Sequence, residues 1–243
     1  LYMLKLKSLR NFGIFLYLIV YIIFPHTAIT QTKKIDLRRN LENALNSRDI
    51  SFFRENFKDE ESFKITKKFS EIIKDFPDAK WQIKKLKSNN QNEKIFQIKV
   101  IGKKVVEGEI YTLESNFNFL FYIVDGKINK SSIRNLFTLV RNDNKKIDIT
   151  FNIPERVLTG AKYDIDIILN KPLEEVIIAG GLKPHQDESF LEQEVTIEPL
   201  VSGGIFKVTR APSKPGTQIW SGIIAHPKGI ITFTKSIEIV EKI

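Results

Sequence analysis

The sequence predicts an α+β domain, in which helices precede a curved antiparallel sheet, followed by an all-β sandwich of short strands. Apolar residues recur at helical spacing between about residues 35 and 76, which indicates amphipathic helices. Longer runs of β-branched and aromatic residues follow as far as Ile133, and short alternating segments separated by Pro and Gly occupy the chain beyond residue 146. The predicted organisation is a leading segment 1–30, a first domain 35–140 and a second domain 146–243.

Three helices are predicted in the first domain. An amphipathic helix is expected from about residue 35 to 47, and Asp49 and Ser51 are candidate N-caps for a short helix over 52–57. Pro77 ends the third helix, because proline cannot continue a helical hydrogen-bond ladder. The apolar stripe of this third helix comprises Phe63, Ile65, Phe69, Ile72, Ile73 and Phe76.

A meander of strands is expected after the helices. The first strand begins at Trp81, and Asp125-Gly126 predicts a hairpin between residues 116–124 and 128–133, since a type I′ turn requires positive φ at both central residues. The intervening strands are predicted over 95–101 and 105–115. The breaks between these strands are expected at 88–90, 102–104 and 115–116.

Two motifs in this region carry a family resemblance. Phe76-Pro77-Asp78-Ala79-Lys80-Trp81 stands at the corner between the third helix and the first long strand, and Phe119-Leu120-Phe121-Tyr122-Ile123-Val124-Asp125-Gly126-Lys127-Ile128 spans the last hairpin. In this order, over about residues 35–135, they resemble the nuclear transport factor 2-like superfamily. The resemblance implies a cone-shaped domain whose helices pack in the concavity of a bent sheet. The cone commonly holds a pocket, which some members use for catalysis and others for binding or dimerisation.

The candidate ligand-binding residues are Trp81, Tyr111 and Tyr122, which could line such a pocket with polar tips. Aromatic residues at strand spacing also fit a plain hydrophobic core, so the two interpretations stand side by side. Seven lysines near the predicted strand ends could form a basic surface for anionic lipid or an acidic partner, with a solvated face as the alternative. These are Lys80, Lys84, Lys85, Lys87, Lys99, Lys103 and Lys104.

Catalysis in the cone is disfavoured by the residue inventory. The catalytic members that the domain resembles often use an Asp with a His or Tyr partner, whereas all three histidines of this chain lie outside the first domain. Glu107 and Glu109 are expected to share one strand face, with Glu114 on the other, and a solvated surface explains them more simply than acid–base work. The sequence therefore predicts no catalytic residue, no metal ligand set and no cofactor.

The second domain follows a candidate polar linker at 141–145. Seven short strands separated by turn residues resemble an immunoglobulin-like sandwich, with Trp220 as the core aromatic. His185, expected in a polar loop over 183–188, and His226, expected at a surface turn, are weak metal signals when taken singly. The predicted strands cover 147–151, 163–167, 176–179, 195–197, 205–208, 217–224 and 230–239.

The leading segment has the order of an export signal. Lys5, Lys7 and Arg10 precede an apolar run over 12–24, and small or polar residues follow it. The run is shorter than the roughly 20 residues that a comfortable membrane span requires, so a cleaved signal is expected and an uncleaved anchor is the alternative. The chain is therefore expected to be exported, to a periplasm, lumen or exterior, or to be anchored in the membrane.

Composition limits the function further. The chain has no cysteine, which excludes disulfides, thiol nucleophiles and thiolate metal sites. Residues 35–145 hold 22 basic and 16 acidic side chains, whereas residues 146–243 hold 11 and 13, so the basic charge belongs to the first part of the chain. Export and the expected burial of the aromatics speak against nucleic acid as a partner.

These observations predict an exported, non-catalytic binding or interaction protein, whose partner is an unidentified protein or a small apolar ligand. One alternative is an enzyme that uses the cone for isomerase, dehydratase or hydrolase chemistry on a small apolar substrate. Another is a scaffold anchored in the membrane through residues 12–24. A homodimer formed through the sheet face is also compatible with the resemblance.

Overall fold

One long antiparallel sheet runs through most of the described chain, and three helices precede its first strand. In this computed structural model the described residues are 36–88, 90, 92–143, 147–171, 176–185, 195–200 and 203–242. The helices are α1 (Leu37–Ser47), α2 (Ser51–Asn56) and α3 (Asp59–Asp75). The strands are β1 (Lys80–Leu86), β2 (Glu93–Val106), β3 (Glu109–Val124), β4 (Lys127–Asn142), β5 (Ile149–Asn152), β6 (Arg156–Leu158), β7 (Lys162–Leu169), β8 (Ala179–His185), β9 (Glu198–Pro199), β10 (Gly204–Arg210), β11 (Gly216–His226) and β12 (Gly229–Val240).

The strands form two sheets. The long sheet has the order β1-β2-β3-β4-β12-β11-β8-β9, and the small sheet has the order β10-β7-β5. Neighbouring strands in both sheets are antiparallel, and β6 adds a short parallel pairing to the end of β12. The described chain is thus mostly antiparallel β structure with three short helices at its start, as the sequence predicts at this coarse level. No helix within the described ranges is long and apolar enough to cross a bilayer, and the apolar run 12–24 lies outside those ranges.

The helices begin and end close to the residues that the sequence indicates. The Asp36 side chain accepts a hydrogen bond from the Arg39 backbone N–H at 3.2 Å, which caps α1. Three acidic residues, Asp59, Glu60 and Glu61, occupy the first turn of α3, where they interact favourably with the helix dipole. The assignment of Phe63 to the apolar stripe is wrong: its side chain is 74% exposed, because the stripe is centred on Ile65 and Phe69.

Two tight turns of the meander lie within the described residues, and the sequence predicts one of them. Asp125 and Gly126 have φ of 54° and 76°, so the predicted hairpin turn is confirmed. Glu107 and Gly108 form the other turn, with φ of 52° and 81°. The single predicted strand over 105–115 is therefore wrong, because β2 continues to Val106 and β3 begins after the turn.

Gly102 explains one wrong strand break. It lies inside β2 and is buried, and a Cβ at this position would come within 3.0 Å of the Phe76 Cβ and 3.2 Å of the Ala79 Cβ. The glycine therefore permits close approach of the helix-to-strand corner, as glycines inside strands often do. The expected break at 115–116 is likewise wrong, since β3 passes through it without interruption.

The first hydrophobic core lies between the helices and one face of the meander strands. Aromatic rings dominate it, and Phe69 contacts Phe53 at 5.3 Å, Trp81 at 5.4 Å and Phe119 at 6.0 Å between ring centroids. These four side chains are at most 2% exposed. Edge-to-face and offset contacts of this kind add to the stabilisation from area burial.

The second core lies between the small sheet and the C-terminal strands of the long sheet. Trp220 is 1% exposed, which confirms it as a core aromatic, and its Nε1–H donates to the Tyr163 hydroxyl at 3.0 Å. That hydroxyl donates in turn to Gln218 Oε1 at 2.7 Å, so the buried polar groups satisfy one another. Gly180-Gly181 lies inside β8, so the predicted strand end at these residues is wrong. Glycine is required at position 181, because a side chain there would collide with the Thr196 carbonyl.

Strand β4 contributes to both cores. Leu136 belongs to the first core and Leu139 to the second, because successive positions along the strand alternate between the two faces of the sheet. A positive φ of 51° at Asn135 accompanies a register shift against β3. Residues Phe137–Arg141 of β4 then pair with β12, so the candidate linker at 141–145 begins inside a strand, with Asn142 only 3% exposed.

Candidate functional site

The three candidate ligand-binding aromatics do not share one pocket. Trp81 is 2% exposed in the first core, and its backbone N–H and C=O both bond to the Asn46 side chain, at 3.0 and 2.9 Å. Tyr111 is partly buried on β3. Across the sheet Trp81 aligns with Ser115, which lies four residues beyond Tyr111 on that strand. Tyr122 lies on the opposite face, where its hydroxyl donates to Glu93 Oε1 at 2.7 Å.

Aromatic side chains occupy the space between the helices and the meander at the positions where a pocket is expected. Phe57, Phe119 and Phe121 are fully buried, and neighbouring ring centroids lie 4.9 to 6.5 Å apart from Phe57 through to Phe96. Contact distances of this size leave no room for a ligand between the rings. Trp81 is therefore a core residue that packs against Phe69.

The three carboxylates weighed for acid–base work do not share one strand face. Glu107 stands in the β2–β3 turn, so it does not share a strand face with Glu109 as the sequence suggests. Glu109 accepts a hydrogen bond from Asn142, and Glu114 forms an ion pair with Arg141 at 2.9 Å. Glu109 and Glu114 thus have different side-chain partners, and Glu107 is exposed in the turn.

The histidines also occupy separate structural positions. His185 is the last residue of β8 and is 2% exposed, so its own assignment to an exposed polar loop is wrong, and residues 186–188 of that loop lie outside the described ranges. His226 ends β11, and its Nδ1 accepts a hydrogen bond from the Lys228 N–H at 3.0 Å, which fits a turn residue. No group of three or more His, Cys, Asp or Glu residues suited to a metal ion occurs in the part of the chain that the structure describes.

Two rows of polar side chains cross the meander on the face opposite the helices. Each row follows the register of neighbouring strands, whose side chains project to the same side. We call these seven positions the amide–lysine face. The first row is Lys84, Gln97, Asn118 and Arg134, and the second row is Gln82, Lys99 and Asn116.

The amide–lysine face carries positive charge and free hydrogen-bonding groups. It has three cations, Lys84, Lys99 and Arg134, and no carboxylate among its seven positions. Five of the seven side chains are exposed, and Gln97 and Asn118 are partly exposed. Within the described residues its four amide side chains make no protein hydrogen bond, so their donors and acceptors face solvent.

Polar contacts lie outside the two rows, and on one side the apolar positions Ile95 and Leu120 stand between them and the face. Hydrogen bonds from Tyr122 and then Ser88 lower the pKa of Glu93, and the bond to Glu93 raises the pKa of Tyr122. At the opposite border Arg134 lies 4.0 Å from Glu238, which Arg156 also contacts at 2.7 Å. These contacts fix carboxylates at the margins and leave the centre of the face cationic.

A cleft adjoins Arg134 where β4 and β12 diverge. Its volume is about 420 Å3, and it is lined by Arg134, residues 215–217 and residues 238–241. Glu238 projects between the two guanidinium groups of Arg134 and Arg156. The cleft is therefore an extension of the charged border and contains an internal ion pair.

The seven lysines expected to form one basic surface are divided between different sides of the sheet. Lys80, Lys84, Lys99 and Lys103 project to the side of the amide–lysine face, whereas Lys104 lies over the Phe76 ring at 4.9 Å. Lys103 forms an ion pair with Asp143 at 2.7 Å, so its charge is compensated. A prediction based on the lysines alone does not include the amide side chains of this face. The alternation of Gln97 and Lys99 with buried residues along β2 is the sequence signal that could have indicated them.

One further lysine has a perturbed pKa. Burial lowers the pKa of Lys68 on α3 to about 8, an effect that Glu61 opposes and Lys64 reinforces. Glu61 also accepts a hydrogen bond from the Ser131 backbone N–H at 2.9 Å, which ties the helix to β4. Glu61, whose charge acts on Lys68, therefore joins α3 to the sheet on the side opposite the amide–lysine face.

Comparison with known protein families gives a match in the C-terminal part of the chain. Residues 144–240 match a family described as a domain of unknown function, DUF8623, which covers the C-terminal strands from β5 to β12. No curated protein matches the chain. The match carries no activity, and it does not include the amide–lysine face.

Proposed function

We propose that this chain is an exported, non-catalytic binding protein that presents the amide–lysine face to its partner. The observation that carries the proposal is the contrast between the two sides of the meander. One side is filled by packed aromatic rings, and the other displays three cations and four free amides. The enzyme alternative would need an open interior at the positions that Phe69 and Phe119 occupy.

The arrangement of strands supports the two proposed family relationships. In the C-terminal part, β5-β7-β10 faces β12-β11-β8-β9, and β6 runs parallel to the last strand. This order fits the two-sheet plan of an immunoglobulin-like sandwich. The helices that cover one face of the β1–β4 meander are compatible with a nuclear transport factor 2-like domain, and the cone shape is part of this proposal.

Export or membrane anchoring belongs to the same proposal and depends on residues 1–30. A rigid sheet that continues from the meander into the sandwich would hold the binding face at a fixed orientation, which suits a spacer or scaffold. The membrane-anchored scaffold is therefore a second form of the same function. Mass spectrometry of the mature amino terminus separates the two forms: loss of residues 1–30 supports secretion, and their retention supports the anchor.

The binding function can be tested with three immobilised partner classes: acidic polysaccharides, anionic lipid vesicles and acidic peptides. The face variant is Lys84→Gln/Lys99→Gln/Arg134→Gln. The matched control is Lys127→Gln/Lys162→Gln/Lys214→Gln, which removes three exposed cations elsewhere and changes the net charge equally.

The proposal expects wild type and control to bind at least one class, with the face variant about tenfold weaker or worse, a change of about 1.4 kcal/mol. Circular dichroism must show that all three proteins are folded. Failure of wild type to bind any class would overturn the proposal. Equal binding by the face variant would overturn it as well.

A further inference from the structure

We infer that the amide–lysine face binds an acidic polysaccharide, a sugar chain that carries carboxylates beside its hydroxyl groups. This inference rests on the proposed binding function and names the chemical class of its ligand. The observations behind it are the composition of the face, the alignment of its two rows across the strands and the positions of the charged contacts beside it.

The side chains of the face match the two kinds of polar group on such a chain. Each amide of Gln82, Gln97, Asn116 and Asn118 offers both a donor and an acceptor, and a sugar hydroxyl needs both. Lys84 and Lys99 supply point charges for carboxylates, and Arg134, which lies 4.0 Å from Glu238 on one side, has further guanidinium N–H groups that can bond a ligand carboxylate. The four amides have no partner within the described chain, so binding costs no internal hydrogen bond.

The geometry favours an extended chain lying across the strands. The first row crosses four neighbouring strands, which are about 4.8 Å apart, so it extends over about 14 Å. The second row lies two residues along each strand, or about 7 Å away. Cations stand at both ends of the first row, at Lys84 and Arg134, and at Lys99 in the second, so a linear anion can contact all three.

Other partner classes fit this surface less well. A protein interface has an apolar centre with a polar rim, whereas the two rows are polar and the apolar side chains on this side of the sheet, Ile95, Ile101 and Phe137, lie beside them. Nucleic acid binding on a sheet requires exposed aromatic platforms, and Tyr122 at the border has its hydroxyl bonded to Glu93. A lipid surface would use the cations alone and would leave the four amides without a role.

The probe is a short oligogalacturonate, compared with the same oligomer after full methyl esterification, which keeps the hydroxyls and removes the charge. Anionic phosphatidylserine vesicles form the third arm. Binding is measured on the full chain by titration calorimetry at low ionic strength, because exposed charge pairs are screened by salt.

Two variants separate charge from hydrogen bonding. Lys84→Gln/Lys99→Gln removes charge, and Gln97→Met/Asn118→Leu removes amide hydrogen bonds at constant charge. Each should weaken oligogalacturonate binding about tenfold or more, a change of about 1.4 kcal/mol. Lys127→Gln/Lys162→Gln/Lys214→Gln should bind as wild type does.

Three results would overturn the inference: equal binding of the esterified oligomer, no effect of the amide variant, or binding of vesicles without binding of oligogalacturonate. The last result, if it depends on Lys84 and Lys99, leaves the proposed binding function in place and replaces only the ligand class. Absence of binding to all three probes and to acidic peptides overturns both proposals together.

Discussion

Truncation of Leu139 in the second core should destabilise the first core as well. Leu139 is 6% exposed on β4, and its register partner on β12 is Phe233. Removing a buried leucine side chain costs about 2–5 kcal/mol. Because β4 also supplies Leu136 to the first core, we expect the two cores to unfold together, and the loss to be felt in both.

The two tryptophans provide a separate probe for each core, since Trp81 lies in the first and Trp220 in the second. In a Trp220→Phe background, Trp81 emission reports the first core alone while far-ultraviolet circular dichroism reports all strands. With a urea m-value of about 2–3 kcal/mol/M, Leu139→Ala should lower the Trp81 midpoint by about 1–2 M. The conservative control is Val208→Ala, whose side chain is 71% exposed and which should change stability by less than about 0.5 kcal/mol.

The reasoning is refuted if Leu139→Ala leaves the Trp81 midpoint unchanged while circular dichroism shows an earlier loss of part of the signal. That outcome would mean that the two cores unfold independently despite the shared strand. Coincident transitions by the two probes, displaced together by the mutation, are the expected result.

Two further predictions concern local contacts in the meander. Gly102→Ala should destabilise the protein by about 1–3 kcal/mol in thermal unfolding, because the added methyl group would crowd Phe76. The control Gly216→Ala has open space around the added methyl group and should cost less than about 1 kcal/mol. Equal losses in the two variants would contradict the argument that Gly102 permits a close approach. Tyr122→Phe should raise the pKa of Glu93 in an NMR carboxyl titration, since the hydrogen bond from Tyr122 is the largest cause of its lowering. The folded-state pKa is depressed, so the stabilisation from this pair is present above the unfolded-state value and is lost as the pH falls through the folded value. An unchanged Glu93 titration would show that Ser88 suffices.

Local signals in the sequence were sufficient for the helices and for one hairpin. The α3 helix ends before Pro77 and the Asp125-Gly126 turn joins β3 to β4, because both features depend on the conformational preferences of a few adjacent residues. The Glu107-Gly108 turn was missed, since Glu is not a preferred residue at positive φ and Gly102 offered a more obvious break. Gly102 serves packing between distant segments, which a local pattern does not encode.

The amide–lysine face could be predicted only in part, because it depends on how distant strands align. Alternation along β2 places Gln97 and Lys99 on one side, and the same rule applies to Asn116 and Asn118 on β3. Placing side chains of β2 and β3 in one row requires the register between the two strands. The Glu107-Gly108 turn fixes this register, and the sequence does not predict that turn. The register shift beside Asn135 then places Arg134 in line with Asn118, and this irregularity has no local sequence signature.

The shared strand also bears on how the binding face is held in place. Arg134 belongs to the face, while Leu136 and Leu139, only two and five residues further along β4, are fixed in the two cores. A protein truncated between residues 140 and 146 would lack β12 and the rest of the second core. Phe137 and Leu139 would then be exposed, and the edge of β4 that pairs with β12 would have no partner strand. Exposed apolar edges favour aggregation. The position of Arg134 relative to Lys84 and Lys99 therefore depends on the sandwich, although the sandwich supplies none of the seven side chains of the face.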